Sequence, residues 1–404
     1  MHDDVVLVIV VGTALAFDFT NGFHDTANVV ATSISTRAMR PRLAIGYAAV
    51  LNFVGAVISL AVAATVAQDI VSAGAITPTV VFAGLVGAIS WNLITWYLGL
   101  PSSSSHALIG GVVGAAFVAA GASAILGEGL LGKVLVPAVI APILAFIVGG
   151  LAIVVCYRVV GSQRPGPVTR GFRLGQVASG GLLALAHGTN DAQKTMGVIT
   201  LALVANGDIS ASNFHVPTWV VVSAATAIAL GTYSGGWRII RTMGTRIIRM
   251  DPAQGFSAQG AGAAVILAST HFGFPLSTTQ VISGGVMGAG AGKRLSAVRW
   301  GVAGNIVVAW LLTLPAAAAI GALAYEVTQI FGTGAAGPVI VAALGAGVGI
   351  TLVFSIAILG VARFVELGRD GRNVAAIAFG TLAAIALAVC VGAIVLGVVV
   401  MTQK

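Results

Sequence analysis

Long apolar runs recur along almost the whole of this chain, and no other feature limits so strongly what it can fold into. Of its 404 residues 58% are hydrophobic and 8% are charged, against roughly 25% charged in an average soluble domain. A water-soluble surface cannot be assembled from so few charges, whereas a helix needs about 20 mostly apolar residues to cross a bilayer. Reading the runs between polar breaks gives about twelve segments, near 5–36, 43–67, 79–97, 107–126, 134–157, 176–204, 218–236, 258–272, 276–291, 300–324, 337–361 and 374–401. No polar stretch between them is large enough for a separate domain, so 1–404 reads as a single all-α, polytopic membrane domain embedded in the lipid bilayer. The acidic start His2-Asp3-Asp4 has the wrong sign for a cleavable signal peptide, and the first segment is expected to remain in the mature protein. Cys156 and Cys390 lie in or at the end of apolar runs, where packing suits them better than a disulfide.

The net charge of +8 does not mark a nucleic-acid surface, because its distribution follows the segments. Seventeen of the 20 Lys and Arg fall in alternate connections: Arg37, Arg40 and Arg42; Arg158, Arg164, Arg170 and Arg173; Arg238, Arg241, Arg246 and Arg249; Lys293, Arg294 and Arg299; Arg363, Arg369 and Arg372. The positive-inside rule places these clusters in the cytoplasm and leaves both termini outside. Lys133, Lys194 and Lys404 are the exceptions.

Four segments are not simple spans. The first, of about 32 residues, would be roughly 48 Å long as a helix, against a hydrocarbon core of about 30 Å. It carries Asp18, Asn21, Gly22, His24, Asp25 and Asn28 in its middle, which predicts a break or a strong tilt. The run 176–204 has the same form around His187, Gly188, Asn190, Asp191 and Lys194. Around 101–106 and 275–280, Pro and Ser/Thr runs between short apolar arms predict hairpins whose helices meet inside the membrane.

These oddities form two pairs. Residues 21–28 align with 187–194 at an offset of 166, matching Gly22 to Gly188 and Asp25 to Asp191. Residues 99–115 align with 273–289 at an offset of 174, with eight identities in 17 positions. The first copy begins outside and the second inside, so the expectation is two inverted repeats, the plan of many secondary transporters. They would occupy 1–160 and 174–330, joined by a cytoplasmic connection at 161–173, with additional membrane helices in 331–404.

Asp18, Asn21, Asp25, Asn28, Thr32 and Ser35 recur every three or four residues and form one polar stripe on a helix. A charge at the bilayer centre costs at least about 2.5–3.5 kcal/mol on insertion scales, so Asp25 and Asp191 must face a protein or water interior. Each could be a buried group that only locks helices together; their repeat-related places beside Gly favour a ligand site. Pro101-Ser102-Ser103-Ser104-Ser105-His106 and Pro275-Leu276-Ser277-Thr278-Thr279-Gln280 both read as helix starts, with Pro at the first position and Ser or Thr as N-caps. Two helix N-termini plus hydroxyl donors make an anion site of the kind that holds phosphate or carboxylate. Taken alone, either Ser/Thr run could serve only close helix packing. All sixteen Arg lie in or beside the expected loops, so an anion would be held by hydroxyls, amides, helix ends and coupling cations. The contacts read for it are Asp25, Asn28, Ser103, Ser104, Ser105, Asp191, Gln193, Ser277, Thr278 and Thr279. His24, Asn21, Thr32, Asn190 and Lys194 are assigned to the coupling ion. Lys194 is either a fixed partner of Asp191 or a titratable cation standing where a metal ion would otherwise sit. His24 can shuttle protons or simply hydrogen-bond, and His106, His187 and His271 are assigned structural roles.

These motifs resemble those of the inorganic phosphate transporter family, the Pit group of phosphate permeases. The residues that carry the likeness are Asn21-Gly-Phe-His-Asp-Thr-Ala-Asn28 with Ala31-Thr32, the run 101–106, His187-Gly-Thr-Asn-Asp-Ala-Gln-Lys194 and the run 275–280. The resemblance implies a multi-pass transporter of inorganic phosphate in the cell inner membrane, with an inverted-repeat core and a homodimeric state. In different members it implies drive by sodium or protons, and sometimes a divalent-metal phosphate complex as cargo. Sodium-coupled relatives commonly read Gly-Ala-Asn-Asp-Val-Ala-Asn, where this chain has His24 and Lys194 in place of Asn. That departure favours H+ coupling or metal-phosphate symport over Na+, and no cofactor is called for. The competing readings are a sodium-coupled phosphate symporter, a sulfate permease, an anion channel, and an intramembrane phosphate-ester hydrolase using His106 or His187. The hydrolase lacks an Arg clamp and a cluster with metal-ligand spacing.

Overall fold

The structure, a computed structural model, describes residues 2–210, 213–332, 364, 367–368 and 373–402. The segment read at 337–361 lies outside the described residues. Among the described residues thirteen principal helices occur: α1 His2–Ser35, α2 Pro41–Ala56, α3 Ala61–Gln68, α4 Pro78–Leu98, α5 Ser104–Ala120, α6 Gly127–Val160, α7 Pro165–Asn206, α8 Thr218–Ser234, α9 Trp237–Arg246, α10 Pro252–His271, α11 Thr278–Lys293, α12 Trp300–Gly332 and α13 Asn373–Thr402. Among the described residues the one extended pairing is an isolated bridge between Val71 and Ile125. The chain divides into two units, Asp3–Ile330 and Phe331–Lys404, and the polar motifs lie in the first.

Helix boundaries follow local chemistry. Pro41, Pro78, Pro165 and Pro252 open their helices at positions where the missing N–H is not needed. Thr77 caps α4 by accepting from the Val80 N–H at 3.2 Å. Asp251 and Gln254 form a reciprocal capping box on α10. Asp251 also accepts from Tyr157 at 2.5 Å and from Lys293 at 3.0 Å, which ties the ends of α6, α10 and α11 together.

The outside of this unit is apolar and its inside unusually polar. Val136, Val139, Ile143, Ile147, Leu151 and Val155 form an exposed stripe along α6, spaced as one face of a helix. Asp18, Asp25, His187, Asn190, Asp191, Gln193 and Lys194 are buried. Among the described residues four helices are long and apolar enough to cross a membrane, or six if each bent pair is one span. This is a helical membrane protein.

The breaks lie elsewhere than the sequence suggested. α1 and α7 run unbroken through their polar motifs over 34 and 42 residues, and α7 starts inside the stretch read as a connection. The glycines that suggested breaks are packing notches. A Cβ on Gly22 would lie 2.2 Å from the Ile228 carbonyl oxygen, and one on Gly188 would lie 2.1 Å from that of Asn52. Neighbouring backbones approach where side chains are missing, as small residues allow in membranes. The sharp turns come instead between α2 and α3, at 70°, and between α8 and α9, at 59°, inside runs read as single segments. Gly235, at φ 76°, makes the second of these.

Corresponding glycines make corresponding contacts. A Cβ on Gly114 would meet the Ala318 carbonyl oxygen at 2.0 Å, and one on Gly288, 174 positions later, would meet that of Phe146 at 2.0 Å. Gly110 and Gly284 face Leu314 and Pro142 in the same way, at 2.5 and 2.3 Å. So α12 lies on α5 as α6 lies on α11, each covering the hairpin that belongs to the other half of the chain. Gly288→Val should therefore prevent recovery of a monodisperse protein in detergent, while Gly12→Val, with nothing within 4 Å of its Cβ, should chromatograph as wild type. Equal behaviour of the two variants on gel filtration would contradict this packing.

Candidate functional site

Two hairpins deliver the Ser/Thr runs to the interior. α4 ends at Gly99, φ 68°, and α10 is followed by Gly273, φ 72°; this left-handed conformation is cheap only for Gly. A tight turn then spans each Pro, closed by Ser102 N–H to Leu100 carbonyl and by Leu276 N–H to Phe274 carbonyl, both 2.9 Å. The helices begin three residues after Pro101 and Pro275, at Ser104 and Thr278. Pro therefore shapes the approach and is not the first helical residue as the sequence suggested. Ser103 and Ser277 are the caps, accepting from the N–H groups of His106 and Gln280 at 3.1 and 3.3 Å. The first N–H groups of any helix lack partners within it, and here two such ends meet.

Asp25, from α1, is held by both hairpins. Its Oδ2 accepts from Ser104 at 2.8 Å and lies 3.4 Å from Thr278 Oγ1, while Oδ1 accepts from Thr279 at 3.2 Å. His24 Nδ1 donates to the same Oδ1 at 2.5 Å, and its Nε2 faces Thr95 and Ser102, each at 3.3 Å. Asn28, one turn on, donates to Thr279 at 2.9 Å and Thr278 at 3.3 Å. From α7, Asp191 accepts from Thr278 at 3.0 Å. The Thr278 hydroxyl thus lies between the two carboxylates, and its single proton serves one of them at a time.

Lys194 completes the cluster. Among the described residues it is the one buried Lys or Arg. Its ammonium donates to Asp191 Oδ1, to Ser105 Oγ at 2.5 Å and to the Leu276 carbonyl at 2.7 Å. An ammonium has three N–H donors, and all three are used. His187, one turn before Asp191, brings Nε2 within 3.0 Å of Asp191 Oδ2, with Nδ1 3.2 Å from Asn52 Oδ1. Asp25, His187 and Asp191 present one ligand atom each, all within 4.8 Å of one another. Two oxygens and an imidazole nitrogen suit a divalent cation.

Other expected site residues are placed elsewhere. Gln193 accepts from Val62 N–H at 2.7 Å and Ala63 N–H at 3.3 Å, so it caps α3. Thr32 accepts from Gln259 at 2.7 Å, about 10 Å along α1 from Asp25 at 1.5 Å per residue. Asn190 holds the end of the second hairpin through Thr270 at 2.8 Å and the Phe274 carbonyl at 3.1 Å. The Oδ1 of Asn21 makes no hydrogen bond. Ser103 and Ser277 spend their oxygens on capping. Sequence reasoning gave His187 only a structural role, although its i,i+4 spacing to Asp191 on a helix was the available signal. Thr95 and Ser102, around His24, carried none.

Buried carboxylates, an ion pair and two helix ends, enclosed by helices with a lipid-compatible exterior, define a membrane transport protein. The sequence profile described as the phosphate transporter family matches residues 21–168 and 161–321. A probable low-affinity inorganic phosphate transporter of Mycobacterium bovis is 55% identical over 81% of this chain and 78% of its own length. Relatives with the same description in Rhizobium meliloti and Bacillus subtilis are 49% and 46% identical, covering 79% and 81% of this chain and 96% and 98% of their own. A solved structure described as the sodium-dependent phosphate transporter superposes with a TM-score of 0.72 at 24% identity, over 80% of this chain and 99% of that one, and shares the fold. The chain belongs to the phosphate transporter family, a family of transport proteins rather than enzymes.

Removing one partner of a buried ion pair typically costs about 3–5 kcal/mol, because the other charge is left uncompensated. Lys194→Met should lower the unfolding midpoint in detergent accordingly, and adding Asp191→Asn should recover most of the loss. A Lys194→Met protein as stable as wild type would show that the ammonium is not the partner Asp191 depends on.

Proposed function

We propose that this protein imports inorganic phosphate across the cell inner membrane by alternating access, coupled to protons, with the anion bound where the two hairpin tips meet Asp25 and Asp191. The observation that carries the reading is the Thr278 hydroxyl shared between those carboxylates, at the junction of two helix N-termini. Hydroxyls and free amides there can solvate a tetrahedral oxyanion without arginine. Phosphate at neutral pH still carries a proton that it can donate to a carboxylate, whereas sulfate carries none, so two carboxylates in the site favour phosphate. The corresponding glycine contacts support two repeats, and the alternation of basic clusters supports their inversion, with twelve segments and both termini outside. The relatives described as inorganic phosphate transporters support the substrate.

Lys194 supports protons over sodium as the coupling ion. Its ammonium already supplies, from within the protein, the positive charge a bound cation would bring. With all three N–H groups in use, it reads better as a fixed charge than as the group that releases the proton. A second reading, phosphate carried as a divalent-metal complex, is supported by the converging ligand atoms of Asp25, His187 and Asp191. Under that reading a chelator abolishes uptake; under the first it does not.

Purified protein in liposomes should take up labelled phosphate, with competition by arsenate and little by sulfate. Asp25→Asn should abolish uptake at normal yield. Ser104→Ala and Thr278→Ala should each weaken phosphate binding by about 1.5–3 kcal/mol, the worth of a hydrogen bond to a charged group. Near-wild-type uptake by Asp25→Asn, with unchanged affinity in both alanine variants, would remove this cluster from the substrate path.

A further inference from the structure

One buried ionisable group has no part in the cluster described above. Asp18 lies two turns before Asp25 on α1, is fully buried, and neither of its carboxylate oxygens makes a hydrogen bond. Asn21 and Thr195 are the polar side chains that flank it, yet Asn21 Oδ1 and Thr195 Oγ1 also lack partners. Both are neutral groups, an amide and a hydroxyl, and neither supplies a counter-charge to the carboxyl. The charges that act on Asp18 are Asp191 and Lys194, both on α7 and already paired with each other. α8, which packs on α1 where Gly231 meets Phe19, carries no Asp, Glu, Lys, Arg or His.

An ionised carboxylate in such a place costs several kcal/mol unless a cation or donors compensate it. One added proton supplies the missing donor and removes the charge. We propose that Asp18 carries the coupling proton, an inference that rests on the proton-coupled reading above.

The cycle follows from charge. While phosphate occupies the cluster, its negative charge and that of Asp191 keep Asp18 protonated. On the side of release the anion leaves, the Asp18 O–H bond breaks, and the proton passes to water. The field of Lys194, no longer offset by the anion's charge, then acts on the remaining carboxylate. Proton and phosphate therefore strengthen each other's binding, and the coupling is reciprocal at equilibrium. Asn21 and Thr195 position the proton by accepting from or donating to Asp18 in its two states.

The test uses the full-length protein in liposomes with labelled phosphate and no sodium. An inward gradient of one pH unit can sustain about a tenfold accumulation per coupled proton. Wild type should show accumulation of this order. Asp18→Asn should show none, while phosphate exchange at equal pH persists at a reduced rate and no longer varies with pH. Asp18→Glu, which keeps the acid, should retain gradient-driven accumulation, and the infrared carbonyl band of a protonated carboxyl should shift in that variant and vanish in Asp18→Asn. Accumulation by Asp18→Asn equal to wild type, or a carboxyl band unaffected by both substitutions, would overturn the role of Asp18 and leave proton-coupled transport standing. Wild-type accumulation driven by sodium and not by protons would overturn both.

Discussion

A single ammonium group holds the interior together. Lys194 stands in a region where an uncompensated charge is prohibitive, and it is tolerated because Asp191, Ser105 and the Leu276 carbonyl take all three of its protons. Those acceptors come from α7 and from both hairpin tips, so satisfying one cation fixes three separate pieces of chain relative to each other. The glycine notches are the other half of the arrangement. α4, α6, α10 and α12 can lie against α5 and α11 at backbone contact only because Gly110, Gly111, Gly114, Gly284, Gly285 and Gly288 have no side chains, and that packing holds the tips where Nζ can reach them.

The chemistry of the cluster follows from what it lacks. Among the described residues no arginine enters it, so the cluster offers an anion neutral donors, one ammonium and two carboxylates. The hydroxyls of Ser104, Thr278 and Thr279 are directed at those carboxylates, and a bound oxyanion has to exchange these internal bonds for its own. Such an exchange trades one charge-assisted hydrogen bond for another, which suits a carrier that must release its cargo as readily as it takes it up.

Much of this was legible in the sequence because membrane depth makes polar residues expensive. Asp25, Asp191, Lys194 and the two Ser/Thr runs stood out for that reason, and the structure brings them within contact. Gly22 and Gly188 were ambiguous: a glycine beside polar residues permits a helix break or a close approach, and only the neighbouring backbones of Ile228 and Asn52 decide which. The bend after Ala56 had no marker in Val57-Ile58-Ser59-Leu60. Gln193 was expected at the anion because it lies in the motif, but it serves the N–H groups of α3, more than a hundred residues earlier in the chain, and such a partner has no local signature. Asp18 was visible in the polar stripe of α1, while its lack of any partner is a property of the packed interior.

The central claim, that the anion binds between the two carboxylates and the hairpin tips, is tested most directly by a structure of the purified protein with arsenate, located by the anomalous scattering of arsenic. The account predicts a single strong peak beside Thr278, between Asp25 and Asp191 and within hydrogen-bond reach of Ser104. A peak among the basic loop residues around Arg241 and Arg246, with none at Thr278, would contradict it.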